Sequence, residues 1–291
     1  MLIRKRYTRV PSDIFWRIEL SFGAVLAFIV LLLRLNIPET PLWEIDEGKF
    51  IDAKELSKKL YGISLDMLPD KNIPQKTGGH LADLVNGYKI VSKHPKEWRA
   101  LLYGSFGNIT FAMEFAGFAF FIPVLLELLK ISGSINTTLI VTAVYIFAVI
   151  SVLVSMRLTP KVGMRKMLIA GYSIVGVALI ISAFSFKFHF LLAIPFFMAL
   201  YMFGHYWANE PSETIMSLVS PTRYRGIISA FGNFIILGTA AITIVTFTTL
   251  FNIVGIPLSL IFLLLVATIP GLLLSVFLLP EVYKSTSDAK Y

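Results

Sequence analysis

Two acids, a histidine and an asparagine lie inside one long apolar stretch, residues 201–226. They are His205, Asn209, Glu210 and Glu213. In a helix, a spacing of four residues places His205, Asn209 and Glu213 on one face, whereas Glu210 points elsewhere. An unpaired polar group in hydrocarbon costs roughly several kcal/mol, so ionisable side chains at this depth indicate a cavity, a solute path or a proton path. The alternative is a structural contact, in which His205 and Glu213 pair with each other or with another helix.

A further acid, Glu114, lies near the middle of a second apolar segment, residues 101–129, with no Lys or Arg close to it in that segment. Burial penalises the charged carboxylate, so it is expected to favour the neutral form of this side chain and to allow it to exchange a proton near neutral pH. The alternative is a protonated carboxyl group that bonds to a neighbouring helix and stabilises the fold. The sequence leaves both interpretations open.

The composition is that of a membrane protein. Hydrophobic residues make up 56% of the 291 residues, charged residues make up 15%, and the mean hydropathy is +0.75. One soluble core cannot bury so much apolar surface. The net charge of +8 does not indicate nucleic-acid binding, because the Lys and Arg residues cluster between the apolar segments, as in basic cytoplasmic loops. The absence of Cys excludes disulfides, Cys-ligated metals and Cys nucleophiles.

Enzyme motifs are missing from the sequence. It contains no phosphate-binding P-loop, no H-E-x-x-H and no G-x-S-x-G, so we expect no enzyme, no cofactor and no metal site. The polar groups inside the apolar segments therefore favour passage of a solute over catalysis.

The pattern of apolar segments predicts an all-α, polytopic protein with about seven transmembrane helices. We expect a basic segment at 1–12, a membrane helix at 13–35, a cytoplasmic loop at 36–100, a six-helix bundle at 101–282 and a cytoplasmic tail at 283–291. Within the loop, residues 51–60 are expected to form a short surface helix. The six apolar segments of the bundle are 101–129, 136–156, 167–186, 190–219, 227–251 and 254–279.

The Lys and Arg content of the connections alternates along the bundle, and this sets the orientation. Basic residues concentrate at 157–166, at 223–225 and in the tail, so these segments and the 36–100 loop are expected on the cytoplasmic side of the cell membrane. The same rule leaves the basic residues of 1–12 on the outer side. This conflict predicts that the chain is the later part of a longer one, which would continue upstream of residue 1.

Three stretches together resemble the major facilitator superfamily, closest to its phosphate:proton symporters and the neighbouring sugar and metabolite porters. Phe15–Trp43 is similar to the sixth helix followed by P-E-[ST]-P-R-[WY], here PETPLW. Leu158–Lys166, LTPKVGMRK, is similar to the D-R-x-G-R-R loop between helices eight and nine. Ser220–Gly226, SPTRYRG, is similar to F-P-T-R-x-R-[GS] after helix ten. The residues that fit these gating and cytoplasmic loop motifs are Glu39, Lys161, Gly163, Arg165, Arg223 and Arg225.

The resemblance implies helices six to twelve of a twelve-helix transporter that works by alternating access around a midplane site. Its helix-seven motif aligns with Thr110, Glu114 and Phe118, and its helix-ten asparagine aligns with Asn209. The implied partners are a small solute, protons, the lipid bilayer and a second chain or copy that supplies the first half. The candidate solute-binding residues are Asn209, Glu114, His205, Glu213, Thr110 and Phe118, and Glu114 is also the candidate for proton coupling.

Departures from the family motifs narrow the range of possible solutes and leave a second function open. No Lys or Arg lies inside the six C-terminal spans, so a phosphate anion would meet the acids without a cation, and a sugar, an organic acid or a similar metabolite fits better. The rival is a truncated chain that transports nothing, or a half-transporter subunit that needs a partner. The positions that depart from the motifs and favour the rival are Leu42, Pro160, Leu218, Thr110 and Phe118.

Overall fold

The computed structural model describes residues 12–35, 37–72, 79–128, 134–190 and 193–282. Every regular element in these ranges is helical, which confirms the all-α prediction. The predicted tail 283–291 and the basic segment 1–12, apart from Ser12, lie outside the described residues. The α-helices are α1 (Ser12–Leu35), α2 (Pro41–Asp46), α3 (Phe50–Tyr61), α4 (His80–Val91), α5 (Pro95–Gly117), α6 (Ile122–Leu128), α7 (Ser134–Val162), α8 (Met164–Lys187), α9 (Ile194–Val219), α10 (Thr222–Val254), α11 (Ile256–Leu263) and α12 (Ile269–Phe277).

Five helical segments of the described residues are long and apolar enough to cross a bilayer. A further apolar helix, Ser21–Leu35, is shorter, and α9 adds 26 residues that carry the polar positions of the 201–226 stretch. These lengths fit a polytopic membrane protein, since about 20 helical residues span the hydrocarbon core. The five segments are Pro95–Leu126, Leu139–Val162, Met164–Lys187, Thr222–Val254 and Ile256–Phe277.

The chain forms two compact units, residues 1–76 and 77–291. In the first unit, the PETPLW signature starts a helix: the Thr40 side chain accepts a hydrogen bond from the Trp43 N–H at 3.3 Å, and Pro41 occupies the first turn. Helix α3 matches the helix expected at 51–60 and ends at Gly62, whose φ of +67° is the left-handed conformation that favours glycine.

In the second unit, α9 lies between α7 and α8 and also packs on α5 and α10. Glycines let it approach α8 closely: a methyl group added at Gly204 would lie 2.7 Å from Ile174, and one added at Gly171 would lie 2.7 Å from Ala208. Small residues at such crossings are the usual basis of tight helix packing in membranes. Helix α9 is therefore held firmly against its neighbours.

Two of the predicted continuous spans are interrupted. The segment 101–129 contains α5 and α6, separated at Phe118 (φ −130°, ψ −55°) and by a 3₁₀ turn at Ala119–Phe121. The segment 254–279 contains a π-helical turn, Leu264–Thr268, between α11 and α12. Irregular turns inside helices are often found at functional sites.

The basic connection predicted at 157–166 is almost entirely helical. Helix α7 continues to Val162 and α8 begins at Met164, so Gly163 alone separates them. The apolar segments in the sequence underestimated the lengths of both helices, because the basic residues lie on terminal turns that extend beyond the apolar core.

Candidate functional site

Glu114 is almost fully buried in the bundle, with 1% of its surface exposed, and both of its carboxyl oxygens have partners. The Thr268 hydroxyl donates to Oε1 at 2.6 Å. The Nδ1 atom of His205 lies 3.3 Å from Oε2. The structure therefore brings together two side chains that the sequence singled out separately, 91 positions apart.

Aromatic rings enclose the His205 imidazole, which is itself fully buried. The Phe111 ring stacks on it with a centroid distance of 4.2 Å, and the rings of Phe115 and Tyr201 lie at 5.9 and 6.0 Å. Its Nε2 atom has no hydrogen-bond partner among the described residues. The contact between the imidazole and the Glu114 carboxyl group is therefore buried among aromatic rings.

The break after α5 lies beside this pair. The backbone carbonyl of Glu114 accepts a hydrogen bond from the Phe118 N–H at 3.1 Å and another from the Tyr201 hydroxyl at 2.7 Å. The rings of Phe118 and Tyr201 also pack edge to face, with centroids 4.4 Å apart. The end of α5 is thus fixed to α9 through the residue that carries the acid.

The partner Thr268 is the last residue of the π-helical turn. This turn inserts extra backbone into the helix and so changes the face on which following side chains lie. Nothing in the local sequence LLVAT indicates that its threonine meets an acid 154 positions away.

Two of the other candidate solute-binding residues are buried, and the side chains of the remaining two lie outside the described residues. Thr110 is 5% exposed, and its hydroxyl lies 3.0 Å from that of Tyr172. Phe118 is fully buried. The side chains of Asn209 and Glu213 lie outside the described residues. Thr110, Glu114, Phe118 and His205 therefore form part of the bundle core in this conformation, and their contact with a solute stays a prediction.

A separate polar cavity of about 280 Å³ lies between α5, α9 and α10. Most of its lining residues carry an amide or a hydroxyl group. The Oγ of Ser229 is buried there without a partner among the described residues. The sequence analysis did not predict this site. Its signal was present in the sequence, as isolated Asn and Ser residues inside apolar segments. The lining residues are Asn108, Thr214, Met216, Ser217, Ser229, Gly232, Asn233 and Ile236.

The loop-motif residues Gly163 and Arg165 connect the start of α8 to the C-terminal end of α12. Gly163 has φ of +96°, and the Glu281 carboxylate fills the space where a Cβ would stand. Glu281 also accepts a hydrogen bond from the Met164 N–H at 3.0 Å. The Arg165 guanidinium donates to the carbonyl of Val276. Glu281 was not singled out from the sequence, because its partners lie 117 positions away.

The remaining loop-motif residues are at the surface of their units. Lys161 is exposed in the last turn of α7, and Arg223 and Arg225 are exposed in the first turns of α10. Glu39 is exposed before α2 in the first unit. Within the ranges that the structure describes, no group of three His, Asp or Glu side chains could hold a metal ion.

Comparison with known proteins gives a family match along almost the whole chain. Residues 2–288 match the family described as "Sugar (and other) transporter". The inner membrane metabolite transport protein YgcS of Escherichia coli (strain K12) is 21% identical over 168 residues, which is 58% of this chain and 35% of the relative.

Two further relatives are eukaryotic. The facilitated trehalose transporter Tret1 of Apis mellifera ligustica is 28% identical over 53% of this chain and 30% of its own length. The sugar transport protein MST3 of Oryza sativa subsp. japonica is 28% identical over 58% of this chain and 33% of its own length. The chain thus spans about a third of the length of the curated relatives it matches.

Proposed function

The chain belongs to the sugar (and other) transporter family, and on this premise we propose that it moves a small neutral solute through a membrane by alternating access. The observation that carries this proposal is the 280 Å³ cavity between α5, α9 and α10. Its volume is close to the lower end of the range of about 300–1,000 Å³ typical of small-molecule sites. It lies between helices of a bundle, which is a common place for small-molecule sites.

The lining of the cavity favours an uncharged, hydroxyl-rich solute. The exposed Asn233 offers an amide that both donates and accepts, and the hydroxyl of Ser229 has no partner among the described residues. The buried Asn108 amide donates to the Met216 sulfur at 3.5 Å, a weak bond that a solute hydroxyl can replace. Among the residues that the structure describes, no Lys, Arg, Asp or Glu lines the cavity. A phosphate would lack the charge-assisted hydrogen bonds that anion sites use, so a sugar or a similar metabolite fits better than phosphate.

We also propose that the Glu114–His205 pair couples transport to protons. The pair is buried, it can hold one exchangeable proton, and it lies on α5 and α9, the two helices that also line the cavity. A change in its protonation alters the contact between these two helices. Proton binding can therefore affect the cavity that holds the solute. Proton coupling would place the chain among symporters of the cell membrane.

Asn209 and Glu213 complete the proposed solute contacts on α9. The backbone of α9 is helical throughout residues 205–213, so the spacing of four keeps these two positions on the face of His205. We propose that Asn209 and Glu213 line a wall of the solute site that opens when the bundle rocks.

A second wall is needed for alternating access, and a second copy or another chain is the proposed source. Helix α10 presents a largely open apolar face, on which Phe234 and Leu237 are each 71% exposed. The same helix contributes Asn233 to the cavity, so helices packed against α10 would close the solute site. This observation equally favours the alternative function, a half-transporter subunit that moves nothing alone.

The test is uptake of labelled sugars, organic acids and phosphate into proteoliposomes, with and without an inward proton gradient. We expect uptake of a neutral, hydroxyl-rich solute that the gradient increases, and less uptake with an Asn108→Leu variant. Uptake of phosphate in preference to every neutral solute would contradict the assignment of the cavity. No uptake by the chain alone, followed by uptake when the first-half helices of a relative are added, would support the half-transporter alternative.

A further inference from the structure

The Met216 side chain of α9 lies between two glycines, Gly104 of α5 and Gly232 of α10. It is almost fully buried, with 1% of its surface exposed. A methyl group added at Gly104 would collide with the Met216 Cγ atom, and one added at Gly232 would lie 2.7 Å from its sulfur. Atoms in a close-packed interior do not overlap in this way, so both glycines are needed to hold Met216 in this position.

The same side chain is part of the wall of the solute cavity between α5, α9 and α10. Its sulfur accepts a hydrogen bond from the Asn108 amide at 3.5 Å. A methyl group at Gly232 would also lie 3.2 Å from that amide nitrogen, so the glycine, the amide and the thioether meet at one point. Met216 therefore lies between the crossing of three helices and the space of the cavity.

Met216 is also the most adaptable part of this wall. Among the described lining residues it has the longest side chain, whereas α10 contributes the short side chains of Ser229 and Asn233. A methionine side chain is unbranched and turns about three bonds, and its sulfur is a weak acceptor. The position of the thioether is therefore set by the room that the two glycines leave, and a strong hydrogen bond does not fix it.

We infer that Met216 sets the largest solute that the cavity admits, and that Gly104 and Gly232 fix this limit by holding the thioether out of the cavity. The solute class is a small uncharged polyol or monosaccharide, because the rest of the described lining is mostly amide and hydroxyl. A solute hydroxyl can take the place of the sulfur as the acceptor for the Asn108 amide.

This inference rests on the proposed solute cavity and deepens it, because it names the residue that selects solutes by size. A methyl group at position 232 displaces the thioether into the cavity and lowers the size limit, whereas truncation of Met216 raises it. General loss of packing would not produce opposite effects from these two substitutions on different helices.

The test measures the space beside Met216 with a thiol and needs no transport. The chain contains no Cys, so Ser229→Cys introduces a single thiol where a hydroxyl is buried in the cavity wall. The full chain in lipid nanodiscs is treated with two neutral reagents, 2-hydroxyethyl methanethiosulfonate and the larger glucosyl methanethiosulfonate. Mass spectrometry follows the rate at which each reagent labels the thiol, and the size ratio is the glucosyl rate divided by the hydroxyethyl rate.

In the Ser229→Cys background, we expect Met216→Ala to raise the size ratio at least about tenfold, because the Cγ, Sδ and Cε atoms no longer occupy the wall. Gly232→Ala should lower the ratio. Adding Met216→Ala to Gly232→Ala should restore the high ratio, because the new methyl group then meets no thioether. This dependence of one substitution on the other identifies Met216 as the group through which Gly232 acts.

Met202→Ala is the matched control, because this methionine is fully buried on the same helix and is not among the described residues that line the cavity. We expect it to leave the size ratio unchanged. Met216→Leu conserves the side-chain volume and should retain the selectivity that Met216→Ala loses. Circular dichroism and size-exclusion chromatography establish that each variant is folded. An unchanged ratio in folded Met216→Ala, or an equal rise in Met202→Ala, would overturn the inference.

Uptake of erythritol, sorbitol and maltitol into proteoliposomes separates this inference from the proposed function. We expect Met216→Ala to shift the preference toward the larger polyols by about tenfold. The expected labelling in a chain that takes up no polyol would support the size limit while the proposed transport fails. Uptake with unchanged preference and unchanged labelling in Met216→Ala would overturn the size limit and leave transport standing.

Discussion

The Glu114 site and the cavity between α5, α9 and α10 are two polar regions of one bundle with opposite properties. Glu114 and His205 are ionisable, at most 1% exposed, and in contact with each other. Among the described residues, the cavity is lined by neutral side chains, includes the exposed Asn233, and contains a buried hydroxyl without a partner. This difference supports our proposal that the closed site holds a proton and the open site holds a neutral solute.

Two helices connect these regions, and this makes the division testable. Helix α5 carries both Asn108 and Glu114, and α9 carries both Met216 and His205. A variant in the closed site should alter the response to a proton gradient, whereas a variant in the open site should alter solute affinity.

The largest expected effect comes from Glu114→Gln, which keeps the shape and removes the exchangeable proton. We expect the stimulation of uptake by an inward proton gradient to fall by about a hundredfold, the scale of losing a positioned proton-transfer group. Uptake without a gradient should persist. Glu114→Asp is the control that retains the acid, and it should keep part of the stimulation.

A smaller effect, on the free energy of unfolding, is expected when the imidazole partner of Glu114 is removed. We expect His205→Ala to reduce the free energy of unfolding by about 1–3 kcal/mol, because a buried carboxyl oxygen loses its hydrogen bond. Denaturant titration followed by circular dichroism measures this. In a double-mutant cycle with Glu114→Gln the effects should not add, and strict additivity would show that the two side chains do not interact.

In the open site, Asn108→Leu should weaken solute affinity by about tenfold, since one hydrogen bond of about 1.4 kcal/mol is lost. The ratio of uptake with and without a gradient should stay at the wild-type value. Thr246→Val is the matched control, because this exposed threonine of α10 donates to the Ile242 carbonyl of its own helix and does not line the cavity. A changed gradient ratio in Asn108→Leu would argue against separate sites.

The smallest effect is expected outside both regions. Gly163→Ala should lower stability by about 1 kcal/mol, because alanine is strained at a φ of +96° and its methyl group displaces the Glu281 carboxylate. Solute affinity and the gradient ratio should be unchanged. Thermal unfolding of the purified variant measures the first, and uptake measures the second. A changed gradient ratio would extend the coupling site to the junction of α7 and α8.

The sequence predicted the helical fold, and it singled out Glu114 and His205, whose role in transport stays a prediction. An acid or a histidine isolated in hydrocarbon needs a partner, so Glu114 and His205 stand out from their apolar neighbours. The residues that complete the site could not be predicted in the same way. Thr268 is an ordinary helix residue by type, and only the π-helical turn aims its hydroxyl at Glu114.

The interruption at Phe118 and the one-residue junction at Gly163 were missed for related reasons. The break after α5 depends on Tyr201 bonding to the Glu114 carbonyl, which is a contact across helices. At Gly163 the basic residues that suggested a loop occupy helical turns, because long Lys and Arg side chains reach polar surroundings from there. The open site depends on three helices meeting, so no single segment encodes it.

The most direct test of two sites with two functions is the gradient ratio of uptake in proteoliposomes, measured for Glu114→Gln and Asn108→Leu beside the wild type. The account predicts a ratio near one for Glu114→Gln at wild-type solute affinity, and a wild-type ratio for Asn108→Leu at reduced affinity. Loss of solute affinity in Glu114→Gln, together with a wild-type gradient ratio, would contradict it.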